Sequence, residues 1–201
     1  LWGSCERISP EAPVQVVSVN NENTYLGGAG NVVNNLNTMG AKVDVISVIG
    51  CCEASSELIE LLKAINIDTR FLITQKNRIT SKKSRIIASQ QQVVRYDRES
   101  TDEIDEESQK LILNLFKNHF MRYDAILLSD YGKGILTFNL TQSIITIAKE
   151  NNKRVLVDPK GLDYSKYDGA FLLTPNKKEA SEATNINIKN DNTLLKSIRS
   201  L

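Results

Sequence analysis

Histidine is nearly missing from this sequence: among 201 residues only His119 is present. A multi-histidine metal centre is thereby excluded, a Ser-His-Asp triad is disfavoured, and the H-x-x-H phosphate motif of nucleotidyltransferases cannot be written. Cysteine is scarce too, with three residues, an odd number, and two of them, Cys51 and Cys52, adjacent and too close for an unstrained bridge. That usage points to a reducing, cytoplasmic setting. No apolar run approaches the ~20 residues a bilayer span requires, and no signal-peptide pattern opens the chain, so no membrane association is expected. Charge of one sign is lacking: 25 Lys+Arg against 24 Asp+Glu leave +1, which speaks against a nucleic-acid surface. The four prolines are scattered and form no linker. A length of 201 residues fits one domain or most of one.

What is present is an apolar pattern whose period switches between two and about 3.6. Pro13–Val19, Val43–Ile49, Phe71–Thr74, Ser84–Ser89 and Gln92–Tyr96 read as strands, the last two close enough for a hairpin. Helical spacing follows Gly50 (Leu58, Leu61, Leu62, Ile65) and recurs over Glu106–Phe120. From Ala125 onward the order is regular: strand Ala125–Ser129, helix about Asn139–Glu150, strand Arg154–Val157, strand Ala170–Leu173, and a helix from near Asn176. Strands alternating with helices imply right-handed βαβ units and a mostly parallel sheet. The polar-alternating strands before residue 100 fit poorly inside such a sheet. They predict a separate antiparallel β-lid built from about 13–19 and 69–97, whose open edge invites pairing into a homodimer.

Four segments carry polar residues where a ligand cleft would need them. Leu26–Asn31 (LGGAGN) opens a helix, with Gly28 allowing close backbone approach and Asn31 able to meet sugar hydroxyls; a tight packing turn is the alternative. It is not a Walker loop, since no Lys-Ser/Thr follows. Ser129–Gly134 (SDYGKG) directly follows a buried strand, placing Asp130 and Lys133 where α/β sheets bind ligands, unless Asp130 merely caps a turn. Asp158–Gly161 (DPKG) repeats that arrangement with Lys160, and Thr174–Glu179 (TPNKKE) ends a third strand. Its Asn176 and Glu179 match a capping box, yet the same geometry can turn the Glu179 carboxylate towards hydrated Mg2+ and amides towards phosphate. Finally, Lys76–Arg85 is basic, and alternation puts Lys83 and Arg85 on one strand face, either solvated or clamping a phosphorylated substrate.

Taken together, these segments resemble the ribokinase-like (PfkB-type) sugar kinases. Arg7–Val14 (RISPEAPV), Lys83-Ser84-Arg85 with Gln91-Gln92 and Arg95-Tyr96-Asp97, SDYGKG, DPKG and Leu173–Asn176 (LTPN) are similar, in order, to the kinase half of the heptose 7-phosphate kinase/heptose 1-phosphate adenylyltransferase group. The resemblance implies a three-layer α/β/α fold with a small β-lid. It also implies ATP-dependent phosphorylation of the anomeric hydroxyl of heptose 7-phosphate in lipopolysaccharide assembly. Gly28, Asn31, Lys83, Arg85, Asp130 and Lys133 would face the sugar phosphate, and Lys160, Asn176, Lys177, Lys178 and Glu179 the ATP and Mg2+. The group's first strand, its G-A-G-D segment with the catalytic Asp, and its adenylyltransferase half have no counterpart here. The sequence is therefore expected to be a partial kinase domain, with the base beyond Leu201 and no turnover of its own. The alternatives are a kinase for another sugar or nucleoside, or a non-catalytic sugar-binding or dimer-forming module.

Overall fold

The computed structural model describes residues 1–88 and 90–201, apart from the side chains of Cys5, Glu6 and Arg7. Ser89, the expected end of one strand, lies outside the described residues. Two short parallel sheets form the centre. In one, β3 (Ser47–Ile49) pairs with β4 (Leu72–Thr74); in the other, β7 (Ala125–Ser129), β8 (Arg154–Asp158) and β9 (Leu172–Leu173) lie in sequence order. Helices α3 (Glu106–His119) and α4 (Phe138–Glu150) cover one face of both. Their Ile112, Phe116, Leu140, Ile144, Ile145 and Ala148 share one core with Val48, Leu128, Val155 and Val157. On the other face of β3–β4, α1 (Ala29–Thr38) and α2 (Glu53–Ala64) pack through Val33, Leu62, Ile67 and Leu72. Helices α5 (Lys177–Thr184) and α6 (Asp191–Ser200) complete the order. This is the expected three-layer α/β fold. No helix among the described residues is long and apolar enough to cross a membrane.

Local chemistry sets the helix starts. Asp105 accepts from Ser108 N at 2.7 Å and two glutamates follow in the first turn of α3; Thr137 caps α4 in the same way.

A four-stranded lid stands apart, in the order β2-β1-β5-β6, from β1 (Trp2–Ile8), β2 (Gln15–Asn21), β5 (Lys82–Ala88) and β6 (Gln91–Arg98). Its make-up differs from the sequence expectation in two ways. Trp2–Ile8, not foreseen as a strand, pairs antiparallel with β2 and parallel with β5. Phe71–Thr74, expected in the lid, belongs to the core instead, because the short apolar strand within it aligns with Ser47–Ile49 and buries Phe71. Boundaries shift for simple reasons as well. β2 begins after Pro13, which has no N–H for a ladder bond, and β3 is short because β4 offers it only three partners.

Candidate functional site

The strand-end loops meet at the carboxyl edge of the parallel sheets. A Cβ built on Gly28, at the start of α1, would stand 3.7 Å from the Tyr131 ring, and one on Gly132 would stand 3.4 Å from Lys160 Cγ. LGGAGN, SDYGKG and DPKG thus sit side by side. Lys160 Nζ in turn donates to Glu179 Oε1 at 3.0 Å, which brings TPNKKE into the same row.

Asp130 is the hub of this edge and is itself buried. Its Oδ1 accepts from Gly132 N at 2.7 Å, while Oδ2 accepts from Lys166 Nζ at 2.6 Å and Tyr167 Oη at 2.7 Å. The Tyr167 hydroxyl also accepts from Lys160 N at 3.1 Å, so it ties two strand-end loops together. Burial, with Asp130 adjacent, pushes the Tyr167 phenol far above its ordinary value, keeping it a neutral donor.

Asn176 caps α5, accepting from Glu179 N at 3.0 Å, and Glu179 Oε2 accepts from Asn176 N at 3.0 Å. The reciprocal capping box is therefore formed, and Glu179 keeps one oxygen on it and one on Lys160. The Asn176 amide, with Lys160 beside it, holds the Glu179 carboxyl below its usual value. Asp158 responds in the opposite sense: burial raises it, and the nearby Glu179 and Asp130 charges add to the rise. The Lys160 charge lowers both carboxyls, and at Asp158 burial outweighs it. Lys177 and Lys178 are exposed on the first turn of α5.

The lid supplies the second cluster. Lys83 and Arg85 are exposed and share a face of β5, as alternation predicted. Across the ladder Arg85 is opposite Arg95, and Lys83 is opposite Asp97. Asp97 accepts from Lys83 Nζ at 2.8 Å and from Arg95 Nε at 2.8 Å. Glu99, just beyond β6, accepts from Lys83 Nζ at 3.1 Å and also from Lys133 Nζ of the core loop. One carboxylate therefore joins a lid lysine to a core lysine, and their charges hold Glu99 below its ordinary pKa. Two arginines directly opposed are unfavourable by themselves, an arrangement that suits an anion between them.

The sequence candidates fall into these two clusters: Lys83, Arg85 and Lys133 at the lid junction, and Asp130, Lys160, Asn176, Lys177, Lys178 and Glu179 along the strand ends. Gly28 lies beside the Tyr131 ring, and Asn31 is exposed on the first turns of α1. Sequence reasoning missed Arg95, Glu99, Lys166 and Tyr167 as site residues. Arg95 was accessible from hairpin register opposite Arg85. Nothing local marks Lys166 or Tyr167, whose importance arises from contacts with Asp130 across 36 and 37 positions.

Comparison with known proteins gives the family and the fold. The chain is 62% identical over 201 residues to bifunctional protein HldE of Aliarcobacter butzleri, covering 100% of this chain and 42% of the relative. It is 56% identical over 194 residues to bifunctional protein HldE of Sulfurimonas denitrificans, covering 96% and 41%. The chain thus spans well under half the length of these curated relatives. Among solved structures, Arabidopsis thaliana ribokinase complexed with ribose and ATP superposes with TM-score 0.69 at 14% identity, covering 98% of this chain and 63% of that one. The tetrameric inhibited form of phosphofructokinase-2 from Escherichia coli gives 0.69 at 18%, covering 98% and 64%. At such identities these two show the fold. The family described as pfkB family carbohydrate kinase matches residues 1–201, and the chain belongs to it.

Proposed function

We propose that this chain serves a kinase that moves the terminal phosphoryl group of ATP to the anomeric hydroxyl of a D-glycero-D-manno-heptose 7-phosphate, giving the 1,7-bisphosphate. The observation that carries this reading is the meeting of Lys83 and Lys133 on Glu99, beside the opposed Arg85 and Arg95. A sugar phosphate dianion matches that set of cations, and Asn31 at the start of α1 is suited to hold sugar hydroxyls. Asp130 acts here through the Gly132–Lys133 turn that it fixes. On the opposite side, Lys160, Lys177, Lys178 and the open N–H groups of α5 suit ATP phosphates.

Glu179 is the carboxylate suited to Mg2+, and to take the ion its Oε1 would exchange the half-exposed Lys160 contact while Oε2 keeps the capping box; Mg2+ commonly takes one or two carboxylates, with water and phosphate completing its shell. When bound it would screen the phosphate charge; positioning by the chain's own lysines and N–H groups supplies the rest of what these residues do. None of the carboxylates described is assigned as the base.

A homodimer through the lid belongs to the same proposal. Opposite the charged lid face, Ile86 pairs with Val94 and Ser84 with Tyr96, and Val94 and Tyr96 are exposed. The test of function uses the full-length protein with ATP, Mg2+ and heptose 7-phosphate, followed by phosphorus NMR. A new anomeric phosphate, formed with the phosphorylated heptose and not with free sugars or nucleosides, is the expected result. Turnover of an unphosphorylated acceptor in preference overturns the substrate assignment, and binding without turnover turns the reading into a sugar-binding module.

A further inference from the structure

Arg78 is buried, 7% exposed, on the arm that leaves β4 for the lid. The returning arm, from β6 to α3, crosses it there. Ile79 N donates to Ser100 Oγ at 2.9 Å and Ser100 N donates to Ile79 O at 3.3 Å, stitching the arms together. The loop after β7 enters the same crossing, with Ile104 N donating to Gly134 O at 3.0 Å. Space is at a minimum. A Cβ on Gly134 would stand 2.0 Å from Asp102 O, and one on Gly50 would stand 1.8 Å from Arg78 O.

The Arg78 guanidinium holds this crossing together. Nη1 donates to Asp102 O at 3.2 Å on the returning arm, and Nη2 donates to Lys133 O in the core loop. Its hydrogen-bond partners are thus backbone carbonyls, while the nearby Asp102 and Asp105 charges partly offset the cost of burying the cation. A planar fork with five donors can serve two carbonyls at once; an ammonium on a flexible stem cannot hold that geometry. The carbonyl so fixed belongs to Lys133, whose Nζ reaches Glu99 and, through it, Lys83 of the lid.

We propose that Arg78 is a positioning residue that sets selectivity for a phosphorylated sugar by fixing Lys133 against both arms of the lid. This rests on the reading of Lys133 as a phosphate contact. Without the fork, the core lysine and the lid lysine lose their common register, and small displacements of a charge-pairing group cost orders of magnitude in rate.

The experiment compares full-length wild type, Arg78→Lys, Lys133→Met and the double variant on heptose 7-phosphate and on unphosphorylated heptose. Arg78→Lys is expected to lower the ratio of the two kcat/KM values by about tenfold or more. The double variant is expected to discriminate no worse than Lys133→Met alone. Equal losses on both sugars, or additive losses in the double variant, overturn the proposal. A hydrogen-exchange measurement on the wild-type protein guards against a variant that fails to fold. Heptose 7-phosphate should slow exchange at the Ser100 and Ile104 amides while the unphosphorylated sugar does not, and unchanged exchange overturns the proposal too. A wild type with no preference for the phosphorylated sugar overturns the reading of Lys133 and this role with it. A preference left intact by Arg78→Lys overturns the role of Arg78 alone.

Discussion

Lys166 and Lys83 each donate to an aspartate, at 2.6 Å to Asp130 and 2.8 Å to Asp97, yet the two pairs do different work. The first lies at the carboxyl edge of the core, with side-chain exposures of 22% and 5%; the second lies on the lid, at 36% and 26%. In the core Asp130 also accepts from Gly132 N and Tyr167, so the charge is enclosed and its loss leaves a lysine without compensation. On the lid, water screens the pair, and Asp97 is shared with Arg95, so each partner is easily exchanged. The core pair is enclosed and structural, while the lid pairs are screened and more easily rearranged, as the proposed anion site requires. Sequence motifs do not separate these two cases, because both read as Asp near Lys.

The contrast is broken most directly at Asp130. Asp130→Ala should cost about 3–5 kcal/mol in urea unfolding, because Lys166 and Tyr167 lose their common acceptor. A loss under ~1 kcal/mol, the scale of an exposed pair, would erase the distinction. Next in size is Glu179→Gln in the full-length enzyme. Gln completes the capping box, and the Lys160 pair is half-exposed, so the melting temperature should barely move. A role beside Mg2+ nevertheless predicts kcat lower by roughly 100-fold. On the lid, Lys83→Ala should raise KM for the phosphorylated sugar about tenfold with KM for ATP unchanged and stability intact. Equal rises in both would place Lys83 outside the sugar side.

The smallest effect sharpens the comparison within the core. The Asp158 carboxyl is raised above 3.8 in the folded protein, chiefly by burial. The folded state therefore holds that proton more tightly than the unfolded chain, and stability falls as pH rises from about 3.8 through the raised value. Asp158→Asn should give a slightly higher melting temperature at pH 7, and the gain should vanish below pH 3.8. Glu179 has the opposite sign: lowered from 4.5, it stabilises above that pH and loses the contribution as pH falls through its folded value. The Asp158→Asn gain should therefore appear as pH rises between 3 and 8, while Glu179→Gln, which keeps the capping box and loses only a half-exposed pair, should stay close to wild type throughout.

Much of the core was legible from periodicity. Ala125–Ser129 was found with the bounds of β7, and Arg154–Val157 within one residue of β8, because parallel strands are short, apolar and bounded by turn residues; the expectation that Ala125–Ser129 is buried on both faces is not met, since Leu127 is 42% exposed. The lid was read less well. Its β6 is exposed throughout, so no burial pattern marks its ends, and β1 is recognisable only through its two partners. Leu72–Thr74 is too short to show a period of its own, and only its register with Ser47–Ile49 assigns it to the core.

The sequence by itself determined the alternation of strands and helices, the four polar loops, the shared face of Lys83 and Arg85, and the capping box of Asn176 and Glu179. All of these are set by neighbours within a few residues, where φ/ψ preferences and side-chain period act. Only the tertiary structure decided that Asp130 is enclosed by Lys166 and Tyr167, that Glu99 joins Lys83 to Lys133, and that Arg78 spans two carbonyls. Those contacts close over separations of 16 to 55 positions. Their formation depends on how the lid arms cross the sheet edge, a geometry fixed by packing of the whole core rather than by any local run of residues.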